Sequence, residues 1–130
     1  MIVVDTNIIA YLYLPCQFTA HAEQLLLTQP NWAAPFLWRS EFRNILAGYL
    51  RRDVLSYQQA LAAQREAKAL MAGFEFDVPS ARVLGLVSAS PCSAYDCEFV
   101  ALALEQNVPL FTQDKKILQS FPDVSSSLVE

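Results

Sequence analysis

Met1-Ile2-Val3-Val4-Asp5-Thr6-Asn7 is the stretch that decides the fold. Ile2, Val3 and Val4 form a continuous β-branched run, the pattern of a strand buried on both faces. Such strands belong to parallel sheets covered by helices above and below. Asp5 closes the run with a charge. Thr6 or Asn7 is then suited to cap a short helix reaching Leu14, which Pro15 ends. An acid at the carboxyl end of a buried strand, with a helix directly after it, sits where open α/β sheets bind their ligands.

The rest of the chain repeats that alternation. Ala20 to Thr28 reads as a second helix and Asn31 to Ala34 as a short strand. Pro35 suits the first turn of a long helix running to about Arg51, with Trp38, Phe42, Ile45, Leu46 and Tyr49 on one apolar face. Ser56 caps a further helix that runs to Met71, and Gly73 ends it. Phe74 to Val78 alternates like a strand, and Ser80 to Ser88 is helical. Ser93 opens a helix that stops near Asn107. Leu110 to Thr112 is a strand, Lys115 to Gln119 a helical turn, and Asp123 to Ser126 a short edge strand. Strand-length runs alternating with helical patterns predict an α/β fold with a parallel sheet and crossover helices.

With 130 residues and no linker or low-complexity tract, the chain reads as one domain spanning 1–130. Its 54% hydrophobic content is enough to supply a core, which argues against disorder. No apolar stretch approaches the ~18–20 residues of a membrane span. The N-terminus reads directly as a strand and carries no export signal. Cys16, Cys92 and Cys97 match no zinc spacing and read as reduced thiols, in keeping with a cytoplasmic protein. A formal charge of −4 excludes a broadly basic nucleic-acid surface as the main source of affinity. It leaves open a local one. Arg39, Arg43, Arg51 and Arg52 cluster, and Lys115 and Lys116 follow Asp114. These read either as a solvated helix face or as a phosphate-steering rim.

Four acids carry the functional argument. Asp5 follows the first strand and Asp114 follows the Leu110 strand. Glu41 borders a buried helical stripe, four positions from Leu37 and from Ile45. Asp96 lies in the first turn of its helix. Each has an ordinary explanation as a cap, a turn residue or a boundary charge. Together they fall at one edge of one sheet. Carboxylates near apolar surroundings cost several kcal/mol unless something pairs with them. No Lys or Arg stands beside Asp5 or Asp96 in the sequence. The economical partner is a hard, oxygen-seeking cation, Mg2+ or Mn2+, which marks the chain as a candidate enzyme. The lone histidine, His21, has no partner that would make a nucleophile dyad.

Asp5-Thr6-Asn7, Ser40-Glu41-Phe42, Tyr95-Asp96-Cys97-Glu98-Phe99-Val100-Ala101-Leu102-Ala103 and Phe111-Thr112-Gln113-Asp114-Lys115-Lys116-Ile117-Leu118 together resemble the PIN-domain nucleases, and more narrowly the VapC-type toxins of toxin–antitoxin pairs. The resemblance covers essentially the whole chain. It implies a three-layer α/β/α sandwich around a parallel sheet of four or five strands. It also implies Mg2+- or Mn2+-dependent cleavage of RNA. Carried over motif by motif, Asp5, Glu41, Asp96 and Asp114 would hold the metal. Thr6, Asn7 and Thr112 would support them, and Arg39 and Arg43 would meet RNA. The family's usual partners are an antitoxin protein and a second copy of the chain, with Tyr11, Tyr13 and Leu14 as groove residues. Where the family often has a further acid, two positions past the last, this chain has Lys116.

Rival readings fit less well. A haloacid-dehalogenase-type phosphatase needs a second Asp where Asn7 stands, and the three glycines form no phosphate-cradling loop. A PIN-like domain that binds RNA or protein without cutting is the remaining alternative.

Overall fold

The structure is a computed structural model that describes residues 1–129. Five strands form one parallel sheet in the order β3-β2-β1-β4-β5. β1 is Ile2–Val4, β2 Trp32–Pro35, β3 Glu75–Phe76, β4 Leu110–Phe111 and β5 Ser125–Ser126. Seven helices flank it among the described residues: α1 (Thr6–Tyr13), α2 (Thr19–Thr28), α3 (Leu37–Arg51), α4 (Tyr57–Met71), α5 (Ser80–Ser88), α6 (Ala94–Gln106) and α7 (Lys115–Ser120). The expected three-layer α/β/α sandwich is what forms.

Topology follows from handedness. The chain steps outward from β1 to β2 to β3, then returns across the sheet to β4 and β5. Right-handed crossovers place helices from the outward and return legs on opposite faces. In agreement, α1 to α4 pack among themselves, α5 packs on α6, and both α4 and α6 cover β2. The direction reverses between β1 and β4. A crevice opens there at the carboxyl ends of the strands.

The central strand is the driest part of the molecule. Val3 and Val4 are fully buried, as are Ile8 and Ile9 of α1 and Val100 of α6. Trp38 and Phe42, one turn apart on α3, are also fully buried, with ring centroids 5.8 Å apart. Truncating either aromatic would cost roughly 3–5 kcal/mol, enough to threaten a fold of this size.

Several boundaries differ from expectation, each for a local reason. Asp5, rather than Thr6 or Asn7, is the N-cap of α1, with its side chain accepting from the Thr6 amide. Pro35 ends β2 instead of opening α3. The amides of Ala34 and Phe36 reach the carbonyls of Phe74 and Phe76, so the missing donor of Pro35 falls on the opposite side and breaks no bond to β3. β3 shrinks to Glu75–Phe76, because only that segment pairs with β2. Other signals read true. Ser56 and Gln59 form a reciprocal capping box. Gly73 takes the positive φ that leads the chain out of α4. Asn107 closes α6 in the left-handed region.

Candidate active site

Strand register brings the first two acids together. Val4 pairs with Phe111, and the amide of Asp5 still donates to the Phe111 carbonyl at 3.0 Å. Asp5 therefore lies alongside Thr112, whose hydroxyl donates to Asp5 Oδ2 at 2.8 Å. The Thr6 amide donates to Asp5 Oδ1, also at 2.8 Å. Each carboxylate oxygen is thus held by one donor and keeps further acceptor capacity. Thr112 is itself oriented, since its hydroxyl oxygen accepts from the Asp114 amide at 3.0 Å.

The other acids arrive on helices. α3 carries Glu41 against α1, where the Thr6 hydroxyl donates to Glu41 Oε1 at 2.6 Å. α6 carries Asp96 in its first turn. There Ser93 Oγ accepts from the Asp96 amide at 3.1 Å, so the cap anticipated from Ser93 forms. Asp114 Oδ1 accepts from the amides of Lys116 and Ile117 and so caps α7. Capping and cavity-lining are compatible, because a carboxylate that spends one oxygen on an amide has another to present.

All four acids line one cavity of about 490 Å3, together with Thr6 and Asn7. Its wall includes Leu37, Ser40, Asn44, Ile45 and Tyr95, none of which was expected from the sequence as a site residue. The signal was present. Leu37, Ser40, Asn44 and Ile45 surround Glu41 at helical spacing, and Tyr95 precedes Asp96. Arg39 and Arg43 lie off the cavity wall. Arg39 forks onto Glu75 of β3, with Nε to Oε2 at 2.6 Å and Nη2 to Oε1 at 2.7 Å. Arg43 donates to Ser40 Oγ at 3.1 Å. Glu98, two positions past Asp96 and so about 200° around α6 from it, lines a neighbouring cavity with Asp77. His21 is exposed on α2.

Burial and mutual repulsion disfavour charge on three of the cavity acids. Burial pushes the Asp5 carboxyl above its ordinary pKa, and the charges of Asp96 and Asp114 push the same way. Glu41 is raised by burial and by Asp5, Asp96 and Glu98. Asp96 is raised by burial and by Asp114. Neither ion pair among the described residues, Arg39–Glu75 or Arg82–Glu105, involves any of the four. Among the described residues, no three acidic, histidine or cysteine side chains stand close enough to form a ready-made metal cage. The carboxylates instead surround a space larger than a bare ion. An all-oxygen set of this kind has the donor chemistry that hard divalent cations prefer.

Comparison with known proteins places this architecture. A toxin–antitoxin complex from Klebsiella pneumoniae contains a similar chain, with TM-score 0.74 and 19% identity over 100% of this chain and 99% of that one. PAE2754 from Pyrobaculum aerophilum gives 0.76 and 18%, covering 97% and 82%. FitAcB from Neisseria gonorrhoeae gives 0.75 and 18%, covering 98% of each. At these identities the likeness is one of fold. Comparison with curated proteins finds no match. The sequence model of the PIN domain matches residues 2–123, nearly the whole chain. With its strand-end acids at the switch point of a five-stranded parallel sheet, the chain belongs to the PIN domain family.

Proposed function

We propose that this protein is a metal-dependent endoribonuclease, the toxin of a toxin–antitoxin pair, that hydrolyses RNA phosphodiester bonds in the cytoplasm. One observation carries the reading: four carboxylates from four separate parts of the chain line one cavity, and none has a cationic partner among the described residues. Family membership and the toxin–antitoxin context of structural neighbours support it. Asp5, Glu41, Asp96 and Asp114 would hold Mg2+ or Mn2+. When bound, such an ion lowers the pKa of a water and neutralises phosphoryl oxygens.

The chain's own residues prepare that site. Thr112 and the Thr6 amide fix the plane of the Asp5 carboxylate, and the Thr6 hydroxyl fixes Glu41. Asn7, exposed on the cavity wall, presents an amide able to orient a water or a phosphate oxygen. Leu37 and Ile45 supply an apolar flank that limits water around the carboxylates. Arg43, off the cavity wall on another side of α3, would meet the RNA backbone beyond the cavity, whereas the Arg39 guanidinium is already engaged by Glu75.

Two partners belong to the proposal, a second copy of the chain and an antitoxin. The antitoxin would use the surface between α1, α2 and α4. One groove there is lined by Leu12, Tyr13, Leu14 and Leu55, and an adjoining one by Leu26 and Leu27. Leu27 is 78% exposed, a large apolar side chain left to solvent. Tyr11 instead packs against Phe18, with ring centroids 5.0 Å apart.

The direct test is incubation of purified protein with cellular RNA and Mg2+ or Mn2+, beside chelator and an Asp96→Asn control. Cleavage that needs the metal and vanishes in the variant is expected. RNA left intact at every metal concentration would favour a PIN-fold binding domain without activity.

A further inference from the structure

The cavity wall carries four acids and, among the described residues, no basic side chain, but the backbone of one lysine is bonded to a wall residue. Lys116 is the second residue of α7, and its backbone is gripped from both sides. Its amide donates to Asp114 Oδ1 at 2.8 Å, and its carbonyl accepts from Cys92 Sγ at 3.8 Å. Cys92 is buried one residue before Ser93, the cap of the helix that carries Asp96. Lys116 therefore bridges the two segments that present Asp114 and Asp96. Its side chain is exposed, and among the described residues its ammonium forms no hydrogen bond or ion pair. It is near enough to Asp96 to favour that group's charge. Arg39 makes the contrast: its guanidinium is taken up by Glu75, away from the cavity.

We infer that Lys116 is the phosphate-binding residue of this site, placing an ammonium against the scissile phosphodiester on the Asp96–Asp114 side of the cavity. The inference rests on the ribonuclease reading and deepens it. Charge arithmetic supports it. Four carboxylates outweigh one divalent cation, so an approaching phosphate still meets net negative charge. A lysine anchored by its backbone beside the cavity reduces that barrier without occupying a carboxylate. Its flexible stem lets the ammonium follow the phosphate as charge shifts onto the phosphoryl oxygens.

The test compares wild type, Lys116→Gln and Lys116→Arg. The readouts are Mn2+-dependent cleavage of a mixed-sequence single-stranded RNA at several salt concentrations, and Mn2+ affinity by calorimetry without RNA. Lys116→Gln is expected to lower kcat/KM about tenfold or more and to flatten its dependence on log salt by about 0.7, one phosphate contact. The same variant should bind Mn2+ as tightly as wild type or tighter, since a positive charge beside Asp96 is gone. Lys116→Arg should restore most of the salt dependence. A Gln variant with unchanged cleavage and salt slope overturns the inference, as does one that loses RNA cleavage and Mn2+ binding together. Absence of metal-dependent cleavage in wild type would instead sink the ribonuclease reading itself.

Discussion

Glu41 and Glu75 are two glutamates tied to the same helix, and the protein treats them in opposite ways. Glu75, on β3, accepts from Arg39 through both oxygens and from the indole of Trp38 at 2.8 Å. Those bonds, the Arg39 contact first, hold its carboxyl below the ordinary range despite its burial. Glu41 sits on α3 beside Arg39 in sequence, yet it receives only the Thr6 hydroxyl. Burial and neighbouring carboxylates hold it above the ordinary range. Basic residues were within reach in the sequence. The fold directed Arg39 to Glu75 and Arg43 to Ser40, and left the cavity acids without an ion-pair partner among the described residues. A carboxylate serving the scaffold is neutralised internally, whereas one serving an external cation is left without internal charge compensation.

The largest expected effect breaks the unpaired side of this contrast. Asp5→Asn keeps the size of the side chain but loses the charge. It should lower metal-dependent RNA cleavage by at least about a hundredfold while leaving the circular dichroism spectrum unchanged. Full activity in that variant would remove Asp5 from the site. Next comes stabilisation by the cation. Mn2+ at about a hundred times its dissociation constant should add about 2.7 kcal/mol to folding stability, and Asp96→Asn should forfeit most of that gain. Thermal melts with and without Mn2+ measure this. Glu75→Ala attacks the paired side. It orphans the buried Trp38 indole N–H and should cost about 1–3 kcal/mol in denaturant unfolding, with Mn2+ affinity little altered. A variant that unfolds no more easily would show the clamp to be dispensable.

The smallest effect is in pH dependence, where the two glutamates should differ in sign. For Asp5, Glu41 and Asp96 the folded carboxyl is raised, so the folded state binds more protons in that window than the unfolded chain does. Without metal, their contribution to stability therefore falls as pH rises through the raised values. Glu75 is lowered, so its contribution is present above the ordinary glutamate range and is lost as pH falls through its depressed value. At neutral pH without metal, Asp96→Asn should melt slightly above wild type. An Asp96→Asn protein that melts lower would mean that this carboxylate stabilises the scaffold.

Much of this architecture could be read from the chain because it is locally encoded. The β-branched run at Ile2–Val4, the Ser56 and Ser93 caps, Gly73 and the helical stripe of α3 each need only a few neighbouring residues to be interpreted. The grouping of the acids was legible through strand ends and the order of four motifs. What stayed hidden depends on contacts between distant segments. The Glu75 clamp joins residues 36 or 37 positions apart, and no local pattern announces it. Pro35 looked like a helix starter because its β-sheet neighbours are invisible in sequence. Asp5 could be read as a turn residue or a cap, with Thr6 and Asn7 as rival caps, and only the turn geometry decides for Asp5.

The bond between Thr112 and Asp5 spans 107 positions of chain. The Asp5 carboxylate gains its Thr112 partner only once β4 has joined β1, so a chain in which that pairing has not formed holds only part of the acidic pocket. Completion of the acidic pocket is therefore a matter of long-range folding, which no single local segment can achieve. A chain cut before β4 would keep Asp5, Glu41 and Asp96 but lose Asp114 from the cavity.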